Sequence, residues 1–245
     1  VKVVEPSDLL CEAADVLGAV KDDVVVVGAA AIEVALHGAT AAITPTRDVD
    51  AVVGTESVDV VVGQLEAAEL QPSTLDYEKG FTWVRGDLKV QLIRGFHPFP
   101  KGASVGLPVN PVADAARRSA HREAVAFAPR PDEPRLWVAS PACLVALKRS
   151  AFGRMKPPGN DVVRRDFHDV YLLVRNVPDQ VLASFGLADG AVRQGVRSAV
   201  AMLCDEGGDP LRLAAEEMVD LDEARNQRDA EAEILLAMRE FAERL

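Results

Sequence analysis

The 245 residues carry 38 acidic and 27 basic side chains, a formal charge of −11, with 49% hydrophobic residues. A balance this acidic excludes a surface coated throughout for nucleic acid, although a local basic groove remains open. No apolar run reaches membrane-spanning length, because the longest is broken by Glu33, His37 and glycines.

The length suits one large domain or two small ones with real cores. Cys11, Cys143 and Cys204 are few, odd in number and far apart, the pattern of reduced thiols and not of a disulfide framework or zinc cluster. No charged-then-apolar leader opens the chain, so a cytoplasmic location and no secretion signal are expected.

Ser7-Asp8 opens a helix to about Leu17, with Leu9, Leu10, Ala13, Ala14 and Leu17 on its apolar side. Val24 to Val27 reads as a buried strand running into Gly28, and an alanine-rich helix follows from Ala29 to about Leu36. Thr46-Arg47-Asp48-Val49-Asp50 then leads into a second strand, Val49 to Val53. Side chains alternate along a strand, so Asp48 and Asp50 point the same way. Paired carboxylates of this kind suit a magnesium ion carrying substrate phosphates. The competing reading is that one caps a turn and the other is solvated.

Glu56 to Leu65 forms a short helix, and Phe81–Arg85 with Leu88–Ile93 forms a hairpin turning at Gly86-Asp87. Gly95 to Val112, rich in Pro and Gly and carrying His97 and Lys101, reads as a long loop of the kind that serves as a lid or substrate wall. A short helix at Ala113–Ser119, a strand at Glu123–Phe127, a turn at Pro129–Pro134 and an extended Arg135–Val138 follow. Ser140 caps a helix with Pro141 at its first position, and that helix carries Lys148. Lys156 to Asn160 is an irregular turn. In the next helix Asp166 and Asp169, three apart, share a face. Beyond Pro178 the pattern is helical: Asp179–Phe185, Ala191–Leu203 and Leu211–Leu245, the last broken near Asp220. Arg117, Arg118, His121 and Arg122 form one basic group. Lys148, Arg149, Arg154, Lys156, Arg164 and Arg165 form a second, the better candidate for meeting phosphates against the acidic background.

The order of strand, Gly-small turn, helix ending in His37-Gly38 and Thr-x-Asp-x-Asp strand resembles the nucleotidyltransferase superfamily with the DNA polymerase beta fold. More narrowly it is similar to the AbiEii or MenT group of toxin-type nucleotidyltransferases. The stretches SPACLVALKRSAFGR from Ser140 and VRRDFHDVYLLV from Val163 resemble the second block of that group, in which a lysine and an Arg-Asp-x-x-Asp segment complete the site. The resemblance covers about residues 24 to 175. It implies an α/β (α+β) fold, a mixed sheet flanked by helices with a C-terminal helical bundle, divided into a core domain at 1–135 and a helical domain at 136–245.

It also implies a metal-dependent transfer of a nucleoside monophosphate from an NTP to an acceptor hydroxyl, on a tRNA 3′ end or a protein side chain, by the toxin of a toxin-antitoxin pair. Asp48 and Asp50 would bind Mg²⁺. Gly28, Ala29 and Thr46 would lie along the triphosphate, with Lys148 reaching it and Asp166 and Asp169 completing the catalytic set. A lysine ammonium at that position can offset charge on departing pyrophosphate. The chain departs from the pattern twice. Ala29 replaces the usual Gly or Ser, removing a hydroxyl but leaving backbone amides to face an anion. Gln91 stands where many nucleotidyltransferases place a third carboxylate, and an amide supplies neither base nor negative charge. These departures define the alternative, a catalytically weakened relative acting as a nucleotide-binding or interaction protein. A small-molecule nucleotidylyltransferase of the aminoglycoside type is a third reading.

Overall fold

A computed structural model of the chain describes residues 2–3, 7–44, 46, 48–75, 80–95, 109–110, 122–126, 134–152 and 161–245. It divides into two compact units, one formed by 6–34 with 45–139 and the other by 1–5, 35–44 and 140–245.

The first unit is built on a mixed sheet. Four consecutive valines, stiff at χ1 and suited to a pleated surface, make β2 (Val24–Val27), buried along its whole length. Beside it lie β4 (Val49–Val53), antiparallel, and β10 (Pro134–Ala139), parallel. β7 (Leu88–Gly95) runs parallel to β4 and forms the expected hairpin with β6 (Thr82–Arg85). The strands β5 (Gln71–Pro72) and β9 (Arg122–Ala126) complete the order β5-β6-β7-β4-β2-β10-β9.

A two-residue β8 (Val109–Asn110) pairs with the end of β7, inside the stretch read as loop. Two residues are too short to show alternation, and their pairing is set by the neighbouring strand. Helix α1 (Asp8–Leu17) begins as expected, with the Ser7 hydroxyl accepting from the Leu10 amide, and buries Leu10, Ala13, Ala14 and Leu17. The strand β2 leads into α2 (Gly28–Ala35), and α3 (Val58–Ala67) follows a 3₁₀ turn at Thr55–Ser57. The helix read at 113–119, the turn read at Pro129–Pro134 apart from Pro134 itself, and the turn at 156–160 lie outside the described residues.

The second unit is helical apart from a small antiparallel pair, β1 (Lys2–Val3) with β3 (Thr40–Ala41). Its helices are α4 (Pro141–Phe152), α5 (Asp161–Asn176), α6 (Pro178–Leu187), α7 (Gly190–Leu203), α8 (Asp209–Leu221) and α9 (Gln227–Ala242). They close around Leu144, Leu173, Val196, Leu203, Ile234 and Met238. The predicted break near Asp220 is the interval between α8 and α9. Two sequence readings change here. The sequence placed everything from 136 onward in the helical part, whereas β10 stays with the sheet and 35–44 joins the helices. Ser140 does not cap α4 through its side chain: its hydroxyl is buried without a partner, and the Ala142 amide donates instead to the Ser184 hydroxyl at 3.0 Å. A cap supplied from another helix leaves no local sequence signal.

All three cysteines are free thiols. Among the described residues, no helix is long and apolar enough to cross a membrane.

Candidate functional site

In the sheet unit, β2 ends where Gly28 turns the chain into α2 with a φ of +68°. The register pairs Val27 with Asp50, so this turn comes down on the Asp50 side chain. A Cβ placed on Gly28 would stand 2.3 Å from Asp50 Oδ2, closer than any real contact. Glycine is therefore required twice, for its left-handed backbone and for its missing side chain. The carboxylate it admits sits by the amide end of α2, where the helix dipole favours negative charge.

Asp50 pairs in parallel register with Gln91, and register partners on adjacent strands present their side chains on one face of a sheet. Gln91 Nε2 donates to Asp48 Oδ2 at 2.7 Å. The two carboxylates and the amide thus occupy the same face, as the period-two argument expected, although Asp48 sits one residue before the strand begins. Thr46 makes a different contact. Its hydroxyl and its amide both donate to Glu33 Oε1, the amide at 3.3 Å, and Glu33 Oε2 accepts the Ser7 amide at 3.2 Å. Glu33, only 4% exposed, ties the start of α1 and the approach to Asp48 onto α2. Sequence reasoning passed over it as an interruption in an apolar run.

In the helical unit, Lys148 on α4 reaches two carboxylates on α5. Its Nζ lies 2.7 Å from Asp166 Oδ1 and 2.6 Å from Asp169 Oδ2. Burial works against the ammonium, but Asp169 and Asp166 outweigh it and raise the lysine pKa above its ordinary range. Burial likewise raises Asp166, against the pull of Lys148. The result is a protonated lysine beside a carboxylate more basic than a solvated aspartate. Arg165, next to Asp166 on α5, faces Glu217 at 3.6 Å instead of joining this triad.

No family model, curated protein or solved structure matches the chain.

Of the second basic group, the described arginines Arg149 and Arg164 have partners within the protein. Arg149 donates to the Ser198 hydroxyl at 2.8 Å, and Arg164 lies 2.6 Å from Asp220 on α8. Arg117, Arg118, His121, Arg154 and Lys156 lie outside the described residues, as do His97 and Lys101, and the Arg122 side chain is not described.

Among the described residues no cluster of three or more His, Cys, Asp or Glu is placed to hold a metal ion. Magnesium takes only one or two carboxylates and completes its octahedron with water and substrate phosphates, and Asp48 and Asp50 are the carboxylates this face offers.

His168 on α5 is 2% exposed, and burial pushes its pKa from 6.5 down to about 4. The groups lining the same cavity are Tyr171, Arg175, Asp222, Arg225 and Glu233. The unfolded chain takes up this proton first as pH falls, so stability is lost from about pH 6.5 downward. The expected loss is about 2 kcal/mol by pH 5, absent in His168→Gln, measured as the difference between the urea midpoints of the two proteins across that range.

Proposed function

We propose that the chain is a metal-dependent nucleotidyltransferase, moving a nucleoside monophosphate from an NTP to an acceptor hydroxyl. The observation that carries this reading is the Gly28 turn seated on Asp50, on the sheet face that also holds Asp48. A backbone turn at a helix start beside paired hard-oxygen ligands has the composition of a polyphosphate cradle.

In this reading Asp48 and Asp50 hold the magnesium, and the amides from Gly28 and Ala29 receive phosphate oxygens. Bound with the nucleotide, magnesium neutralises charge on the triphosphate and orients it. The acceptor oxygen attacks the α-phosphorus, the bond to pyrophosphate breaks, and pyrophosphate departs. The acceptor hydroxyl gives up its proton as its oxygen bonds to the phosphorus. A tRNA 3′ end or a protein hydroxyl is the acceptor class, with an antitoxin as the regulating partner in a cytoplasmic setting.

The test is incubation with each labelled NTP, magnesium and total tRNA. The expected outcome is label transfer that Asp48→Ala lowers by at least about a hundredfold, the scale of one lost electrostatic contact to the transition state. Absence of transfer to RNA, protein and small hydroxylated compounds alike would overturn it. Gln91 favours a second reading, since an amide replaces the anionic group at the position paired with Asp50. Tight NTP binding with no transfer to any acceptor would establish that nucleotide-binding role.

A further inference from the structure

Helix α5 has a second face. His168, Tyr171, Leu172 and Arg175 fall at i, i+3, i+4 and i+7 and form one stripe, away from the stripe of Asp166 and Asp169. With Ala41 and Ala42 beside β3, Met218 on α8 and Glu233 on α9, this stripe lines a cavity of about 360 Å³, within the size range of small-molecule sites.

We propose that this cavity binds a small organic monoanion, a carboxylate carried on an apolar body. His168 is almost wholly buried at its wall. Among the described residues its ring meets the Tyr171 ring, centroids 5.9 Å apart, and its nitrogens make no hydrogen bond. A neutral imidazole at the cavity wall offers one donor and one acceptor that a ligand can meet.

The charged groups select the ligand. Arg225 is committed to Glu233 and to Asp222, the latter at 3.1 Å, and the Tyr171 hydroxyl donates to Glu233 at 2.7 Å. Arg175, whose charge also acts on Glu233 across the same lining, makes no hydrogen bond or close ion pair among the described residues and is exposed at the cavity. Its planar fork matches a carboxylate. Asp222 and Glu233 on the same lining disfavour a second negative charge, which selects a monoanion over a phosphate dianion. Leu172, Met218 and the two alanines accept the apolar body. This site is independent of the nucleotidyl-transfer reading.

The experiment is calorimetric titration of the full chain with benzoate, 3-phenylpropionate and hexanoate, alongside 3-phenylpropanamide and phenyl phosphate. Saturable binding of at least one carboxylate is expected. The matching amide and the Arg175→Glu variant should each weaken binding by about tenfold or more. Arg175 is exposed, so that variant keeps the urea midpoint of the parent, and His168→Gln lowers affinity as well. No saturable carboxylate binding, affinity unchanged by Arg175→Glu, or tighter binding of phenyl phosphate would each overturn the assignment.

Discussion

Lys148→Met is expected to lower the stability of the protein by about 3–5 kcal/mol at pH 7, because it leaves buried carboxylates without their cation. Methionine keeps most of the length of the side chain, so the loss reports charge and not a cavity. The lysine and Asp169 side chains are 13% and 12% exposed, and Asp166 is 9% exposed. Water therefore does little to replace the missing ammonium.

The pH dependence identifies the cause. Burial already raises Asp166 while Lys148 opposes it, and without Lys148 the folded state holds that proton still more tightly. A folded state that binds more protons than the unfolded chain loses stability as pH rises, so the deficit of Lys148→Met should shrink between pH 7 and pH 5. Adding Asp166→Asn and Asp169→Asn to Lys148→Met should recover most of the loss, since the uncompensated charges are gone. Urea midpoints of the three proteins across that range provide the measurement. A loss under about 1 kcal/mol, insensitive to pH, would show that the triad behaves as a solvated surface group.

The parts legible in the sequence were those whose cause is local. Four adjacent valines, a Ser7 cap three residues before the amide it accepts, and a Gly-Asp turn between two apolar runs each determine their element within a few positions. The spacing of Asp166 and Asp169 put both on one side of α5, where Lys148 meets them. What the sequence hid depends on distant partners. Thr46 was read toward phosphate because of its place in a motif, yet its hydroxyl goes to Glu33, an acidic residue buried inside an alanine-rich helix. Ser140 had the right residue type for a cap, but Ser184 provides the acceptor. The division of the chain was also hidden: 35–44 lies between two strands of one unit in sequence and belongs to the other. Nothing in its composition marks that exchange.

Gly28→Ala is expected to cost about 2–4 kcal/mol and to abolish the proposed nucleotidyl transfer, an effect large for the addition of one methyl group. Two terms contribute. A left-handed backbone at φ +68° costs an alanine about 1–2 kcal/mol. The remainder comes from the new Cβ, 2.3 Å from Asp50 Oδ2, which forces the carboxylate or the turn to move. Gly38 provides the control, because its φ of +78° imposes the same backbone strain while a Cβ there meets nothing within 4 Å. Gly38→Ala should therefore show the backbone term alone and keep transfer activity, and the difference between the two variants measures the close approach. Pairing Gly28→Ala with Asp50→Ala should return part of the lost stability but none of the activity, since the obstructed group has been removed along with its function. Equal losses for Gly28→Ala and Gly38→Ala, with transfer intact in both, would mean that the turn does not bear on Asp50, and the cradle assigned to this end of the sheet would have to be given up.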